Sequence, residues 1–449
     1  MFDIMKDSNK FNNSLSSGAN TESITVEILD SIMGSGKTTN ILKWIDDNNT
    51  TEKFIYVSPL LSEVDEGGRV QRDLKHTRFH YPKADESNRT KGDSLLSMLQ
   101  EGLNISCTHS LYLLMTDAHL NEIRKQNYIV IIDEELGVID SYDSYSQYDI
   151  RSLIKSGSVV KQESDGMLLW VSDDSNYDER DHAYNKLKRH IQSGILYSAK
   201  RADSMLVTQL PIKLFTVAKR VVIITYMFEG NILSTFLKLK GIEYKPFTEV
   251  TTTPVDKKEI KNLITMYELK NKWKDLGKLK LSNTWYTSNN NGNATTKDIK
   301  TIENFISSFC RANDCSFIDL MYTFPKYRRF DNKKARCVIK PKGYIDREVE
   351  DEEDGSVYIE KVWVATQTRA TNDYDHKTHL VHAFNRYPNT AVKSYLQDYG
   401  QIVDDDIFAL CELLQWVWRS AIRKGEPITL CIVSNRMRKL FDEWLESED

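Results

Sequence analysis

The segment Tyr128-Ile129-Val130-Ile131-Ile132 is apolar at every position and stops on an acidic group, Asp133-Glu134-Glu135. Val221-Val222-Ile223-Ile224 repeats the pattern and stops on Thr225-Tyr226. A strand with one wet face alternates apolar and polar residues, whereas an unbroken apolar strand is buried on both faces. Such strands belong in a parallel sheet covered by helices on either side. Ile24-Thr25-Val26-Glu27-Ile28-Leu29 and Phe54-Ile55-Tyr56-Val57 read as two more strands, and Ile105-Ser106-Cys107-Thr108 as a weaker one. Between them the apolar spacing is helical, as in Ile41, Leu42, Trp44 and Ile45. The first half of the chain therefore predicts a doubly wound α/β domain.

The pattern restarts after Thr253. Lys280 to Trp285 opens a second α/β unit, Thr301 to Arg311 reads as a helix, and Ser316 to Met321, Val362 to Thr366 and Ile428 to Val433 read as strands. Ser141 to Lys200, rich in Asp, Ser and Tyr, interrupts the first unit as an insertion. Met1 to Ser23 is rich in Ser and Asn, lacks the apolar centre of a signal peptide, and reads as a flexible tail. The expected division is a tail at 1–23, a first domain at 24–250 with its insertion at about 141–200, and a second domain at 251–449.

Composition narrows the class. No apolar run approaches the roughly 20 residues needed to span a bilayer, so no membrane partner is expected. The six cysteines are scattered, with only Cys310 and Cys315 close together. Reduced thiols in a cytoplasmic protein are the expectation. A net charge of -5 excludes a globally basic chain, so any nucleic-acid grip must be a local strip.

The loop Ser31-Ile32-Met33-Gly34-Ser35-Gly36-Lys37-Thr38 follows the first strand and opens a helix. Glycines let backbone N–H groups wrap phosphate oxygens, a lysine reaches the outer phosphates, a hydroxyl ligates Mg²⁺, and the helix dipole faces the anion. Met33, Gly34, Ser35, Gly36, Lys37, Thr38 and Thr39 are the candidate nucleotide-binding residues. Asp133, at the end of a buried strand, is the second Mg²⁺ candidate beside Thr38. Glu134 is the candidate for polarising water, with Glu135 the alternative if the register shifts. In the second unit, Gln415, Arg419 and Arg423 fall on one face of a helix at i, i+4 spacing. Two guanidiniums on one face can neutralise charge growing on a transferred phosphoryl group, so these three join Lys37 and Glu134 as catalytic candidates.

With these residues in view, the chain resembles superfamily 2 DEAD-like helicases, most closely those encoded in bacteriophage replication regions. Ser31–Thr38 resembles motif I, Asp133–Leu136 motif II and Gln415–Arg423 motif VI. Thr225-Tyr226 and Arg369-Ala370-Thr371-Asn372 are weaker matches to motifs III and V. Trp418 stands where motif VI has glycine, and the last spacing is one residue longer. The resemblance implies an α/β fold of two tandem RecA-like P-loop domains, ATP and Mg²⁺ as cofactors, and ATP-driven movement on nucleic acid by a monomer. DNA in single-stranded or branched form ranks ahead of RNA, and replication proteins are candidate partners. In a phage-encoded protein the host cytoplasm is the implied location.

Ser58-Pro59 and Thr108-His109 resemble the backbone-gripping motifs Ia and Ib and are candidate nucleic-acid contacts. Arg369 and Thr371 join them from motif V. Arg328 and Arg329 lie in Tyr322–Lys342, where cations alternate with aromatic rings, a pattern suited to phosphates and bases. A solvated hairpin with the acidic run Glu348–Asp354 is the alternative for that segment. Two other functions stay open: ATP-dependent remodelling without unwinding, and a P-loop kinase acting on a small molecule.

Overall fold

The computed structural model describes residues 25–85, 90–145, 147–172, 184–201, 205–287, 293–326, 339–350, 355–368 and 373–447. It is an α/β protein built on two parallel sheets. The first has six strands in the spatial order Glu243–Pro246, Thr25–Asp30, Arg220–Thr225, Ile129–Asp133, Phe54–Ser58, Ile105–Thr108. Every neighbouring pair is parallel. Both faces are buried, as the unbroken apolar runs require. Val130, Ile132, Val221 and Ile223 enter one core, while Ile129, Ile131, Val222 and Ile224 enter the core beneath the Lys37–Asp47 helix. That alternation carries Asp133 to the same face as Ile131, which is the face of the helix that starts at Lys37.

The second sheet has four parallel strands in the order Ile264–Met266, Ile428–Ile432, His379–His382, Leu320–Thr323. Thr296–Ala312 packs on one face with Phe305 and Phe309, and Asp405–Val417 covers the other with Leu413, Leu414 and Val417.

Several second-half elements differ from the sequence reading. Ser316 to Asp319 forms a turn, closed by Ser316 Oγ donating to Asp319 Oδ2 at 2.8 Å, so the strand begins only at Leu320. Val362–Thr366 forms no strand, only a single parallel bridge between Trp363 and Tyr322. Lys280–Trp285 does not open the sheet; Asn283–Thr287 is a short helix there, and Ile264–Met266 is the first strand. The His379–His382 strand escapes the apolar rule because histidines flank Leu380-Val381.

The insertion builds its own small core. Ile139–Ser141, Leu206–Gln209 and Leu196–Ser198 form an antiparallel sheet, beside a hairpin of Val159–Lys161 with Leu168–Trp170. Tyr142, Ile150, Leu187, Ile191 and Leu196 fill the space between. The chain also departs from a clean division at residue 250. The Thr390–Asp398 helix returns to the first unit and seats Val392, Tyr395 and Leu396 in its core. Tyr395 Oη donates to the Asp165 carbonyl at 2.7 Å, and Asp398 pairs with Arg201 at 3.2 Å. Cys107, Cys310, Cys315, Cys411 and Cys431 are free thiols. Among the described residues no helix is long and apolar enough to cross a membrane.

Candidate active site

The Arg220–Thr225 strand lies between the strand that feeds the Ser31–Thr38 loop and the strand that ends at Asp133. It pins both loops. Ser31 N–H donates to the Thr225 carbonyl at 3.1 Å, and Glu134 N–H donates to the Ile224 carbonyl at 2.9 Å. Gly34 and Gly36 sit at φ 83° and 81°, left-handed conformations that glycine adopts without steric cost. The helix then starts at Lys37, leaving its first N–H groups directed at the loop.

Thr38 Oγ1 donates to Asp133 Oδ2 at 3.3 Å. Two oxygens at neighbouring corners of an octahedral Mg²⁺ shell are roughly 3 Å apart, given ligand distances of about 2.0–2.1 Å. Among the described residues no three acids, histidines or cysteines gather to hold a metal. The pair therefore fits an ion that takes the rest of its shell from phosphate and water. Tyr56 Oη donates to the same Asp133 Oδ2 at 2.6 Å, and His109 Nε2 lies 2.8 Å from the Asp133 carbonyl. Burial pushes the Asp133 carboxyl above its usual range; the Tyr56 hydrogen bond and the Lys37 charge oppose that rise. Lys37 Nζ donates to the carbonyls of Ser31 and Ile32. Burial lowers its pKa to about 8, against the opposing pull of Asp133 and Asp30.

Glu134 turns out of the strand at φ 63°, a conformation that costs a non-glycine residue about 1–3 kcal/mol. The turn brings Glu134 to line the cleft. Glu135 points elsewhere, its Oε1 accepting from Leu233 N–H at 3.1 Å.

Across the cleft stand Gln415, Trp418, Arg419 and Arg423. The single helix face that spacing predicted for Gln415, Arg419 and Arg423 is not formed. The helix ends at Val417, Ser420 is extended, and Ala421–Lys424 is a single 3₁₀ turn. Ser420 Oγ donates back to the Val417 carbonyl at 2.7 Å, a side-chain bond that competes with helix continuation. The turn still presents both arginines to the cleft. Arg419 is buried and its Nη1 donates to the Gln415 carbonyl at 2.6 Å, whereas Arg423 is exposed.

Two lining residues, Glu63 and Arg69, carry no sequence signal. Glu63 accepts from Ser58 Oγ at 2.5 Å; burial and the negative charge of Asp133 push its pKa up to about 7. Arg69 donates from Nη2 to Thr39 Oγ1 at 3.1 Å and lies 4.0 Å from Glu63. Tyr226 joins the units: its carbonyl accepts from Cys411 Sγ at 3.5 Å, and its hydroxyl accepts from Trp444 Nε1 at 2.9 Å.

The expected nucleic-acid contacts fare differently. Ser58 is fully buried with its hydroxyl given to Glu63, so it is not open to a phosphate. Pro59 beside it is half-buried. Thr108 Oγ1 accepts from Leu111 N–H at 3.3 Å, capping a short helix, and His109 is turned toward Asp133. Arg328, Arg329, Arg369 and Thr371, like the 1–23 tail, lie outside the described residues.

Fold and site together define a two-unit α/β protein in which a glycine-bearing strand–loop–helix faces arginines across the cleft between the units. A family model described as the YonV C-terminal Rossmann-like domain matches residues 258–445. The chain is 29% identical over 443 residues to the SPbeta prophage-derived uncharacterized protein YonV of Bacillus subtilis (strain 168), spanning 94% of this chain and 99% of that protein. Among solved structures it is similar to an XPD helicase, at 12% identity and TM-score 0.47 over 94% of both chains. It is likewise similar to S. tokodaii Xpd4, at 12% identity and TM-score 0.48 over 94% of this chain and 95% of that one.

Proposed function

We propose that the protein is an ATP-dependent nucleic-acid helicase or translocase, acting on DNA in phage replication or recombination. One observation carries this reading: a phosphate loop from one unit and two arginines from the other line a single cleft. In this reading Lys37 and the amides around Gly34 and Gly36 hold the β- and γ-phosphates. Thr38 and Asp133 hold Mg²⁺, which when bound neutralises phosphate charge. Glu134 orients the attacking water and takes its proton. Arg419 and Arg423 meet the charge that grows on the transferred group. Hydrolysis would then need both units in contact, so turnover and inter-unit movement would be one process.

The experiment is ATP turnover with and without single-stranded DNA, followed by strand displacement on forked, tailed and blunt duplexes. Strong stimulation by DNA with displacement of at least one duplex is expected. Stimulation without displacement would mean remodelling instead. Turnover indifferent to nucleic acid would sink the motor reading and favour a small-molecule P-loop enzyme.

A further inference from the structure

A second charged feature lies at the edge of the first sheet and shares no lining residue with the cleft. The segment Lys75-His76-Thr77-Arg78-Phe79-His80-Tyr81-Pro82-Lys83 runs beside the edge strand Ile105–Thr108 and bridges to it in parallel. His80 N–H donates to the Asn104 carbonyl at 2.8 Å, and Ser106 N–H donates to the His80 carbonyl at 2.9 Å. The segment is built to be rigid. Asp46, near the end of the helix that begins at Lys37, accepts from three successive amides, Lys75, His76 and Thr77, at 2.7, 3.2 and 2.9 Å. Phe79 is buried in the core under that helix, and Gln71 Nε2 donates to the Phe79 carbonyl at 3.2 Å.

With backbone and apolar side chains fixed inward, the cations point out. Lys75, Arg78 and Lys83 are exposed and line an open trough of about 460 Å³. Among the lining residues one carboxylate, Glu66, pairs with Lys83, and Asp46 beneath the loop adds a second negative charge that its three amide bonds engage. Among the described residues Lys75 and Arg78 have no ion-pair partner. Lys91 extends the positive strip, donating to Tyr81 Oη at 2.7 Å and lying 5.0 Å from its ring centre. This local excess sits on a chain whose net charge is -5.

We propose that this trough is a docking site for the sugar–phosphate backbone of nucleic acid, separate from the nucleotide cleft. The proposal rests on the nucleic-acid reading of the protein and adds the surface that would hold the strand. A row of exposed cations on a rigid backbone edge suits a polymer of repeated negative charge, whose binding releases counterions and weakens steeply with salt. The trough has no glycine-wrapped loop and no metal-binding carboxylates, so it differs in kind from the phosphate loop at Gly34 and Gly36.

The test is fluorescence anisotropy of a labelled single-stranded DNA oligonucleotide, titrated with the full chain between about 50 and 200 mM salt. Lys75→Glu/Arg78→Glu is compared with the parent, with the milder Lys75→Gln/Arg78→Gln, and with a charge-matched control, Lys278→Glu/Lys439→Glu, in the second unit. The reversal is expected to weaken binding at least about tenfold at low salt and to lower the salt slope by about two, one for each phosphate no longer neutralised. The Gln variant should lose less, the control little, and ATP turnover without DNA should not change in any of them. If the parent binds and both trough variants bind equally well, the trough is not a docking site, although the motor reading stands. An equal loss in the control would assign the effect to overall charge and overturn the proposal. A parent that binds no nucleic acid would overturn the motor reading and this site with it.

Discussion

The hydroxyl of Ser31 lies 2.9 Å from that of Thr252, joining the first residue of the Ser31–Thr38 loop to the segment that links the two units. Two further bonds run alongside: Thr253 N–H donates to the Ser35 carbonyl at 3.0 Å, and Asn40 Nδ2 donates to the Thr251 carbonyl at 2.9 Å. Ser31 also donates to Ser35 Oγ at 2.9 Å, so serine at this first position serves as a bridge that glycine cannot make. Ser31→Gly and Thr252→Val should therefore be non-additive. A double-mutant cycle in urea is expected to show about 1 kcal/mol of coupling, the usual worth of one such bond. Additive losses would mean that the two hydroxyls are neighbours without being partners.

Lys37 and Arg419 are predicted to fail in different ways. Lys37→Ala removes the cation closest to the loop and should abolish ATP turnover while the thermal transition stays cooperative. Arg419→Ala should keep nucleotide binding, followed by a fluorescent ATP analogue, and cut turnover on the order of a thousandfold, as loss of an arginine finger does. Parent-rate turnover by Arg419→Ala under DNA saturation would mean that the second unit takes no part in hydrolysis.

The reach of the sequence can be judged residue by residue. Ile129–Ile132 and Val221–Val222 announced themselves because a strand buried on both faces leaves an unbroken apolar run. Gly34 and Gly36 were legible as turn positions because their left-handed backbone suits glycine. Glu63 and Arg69 were not, because they enter the cleft from short helices whose positions depend on packing. The Gln415–Arg423 spacing suggested one continuous helix, yet the Ser420 hydroxyl competes for the Val417 carbonyl and breaks it. Nor can periodicity say which core a helix joins: the amphipathic Thr390–Asp398 segment left its own unit for the first one. The exposed cations at Lys75 and Arg78 were missed for another reason. The carboxylate that orders their loop, Asp46, is remote in sequence and sits on a different helix.

Tyr56 supplies a test of how the Asp133 carboxylate is held. It pairs with Ile131 across the sheet, two residues before Asp133 on the same face, which brings its hydroxyl to Asp133 Oδ2. Asp133 is only 8% exposed, so a missing donor is poorly replaced by water. Tyr56→Phe keeps the ring packing and removes the donor. A stability loss of about 1–3 kcal/mol is expected, the cost of leaving a buried polar group short of its partner. Urea unfolding without nucleotide or Mg²⁺ measures it, and an unchanged midpoint would show that the bond contributes nothing.

His382 predicts how the second unit responds to acid. It ends a central strand, is fully buried, and lies edge-on to Trp416 with ring centres 5.3 Å apart. Burial, reinforced by the Arg386 charge, lowers its pKa to about 3. In the unfolded chain the value returns to about 6.5. Above that pH both states are neutral here, and the full contribution of His382 to stability is present. As pH falls from about 6.5 toward 3, the unfolded chain takes up a proton that the folded chain refuses. Stability then declines by up to about 1.4 kcal/mol per pH unit. His382→Leu removes this titration while keeping an apolar side chain against Trp416. Its stability should fall less steeply than the parent's between pH 6.5 and 4.5, measured by urea unfolding at several pH values. Parallel acid limbs in the two proteins would mean that carboxylates elsewhere, not the imidazole beside Trp416, govern acid unfolding of this unit.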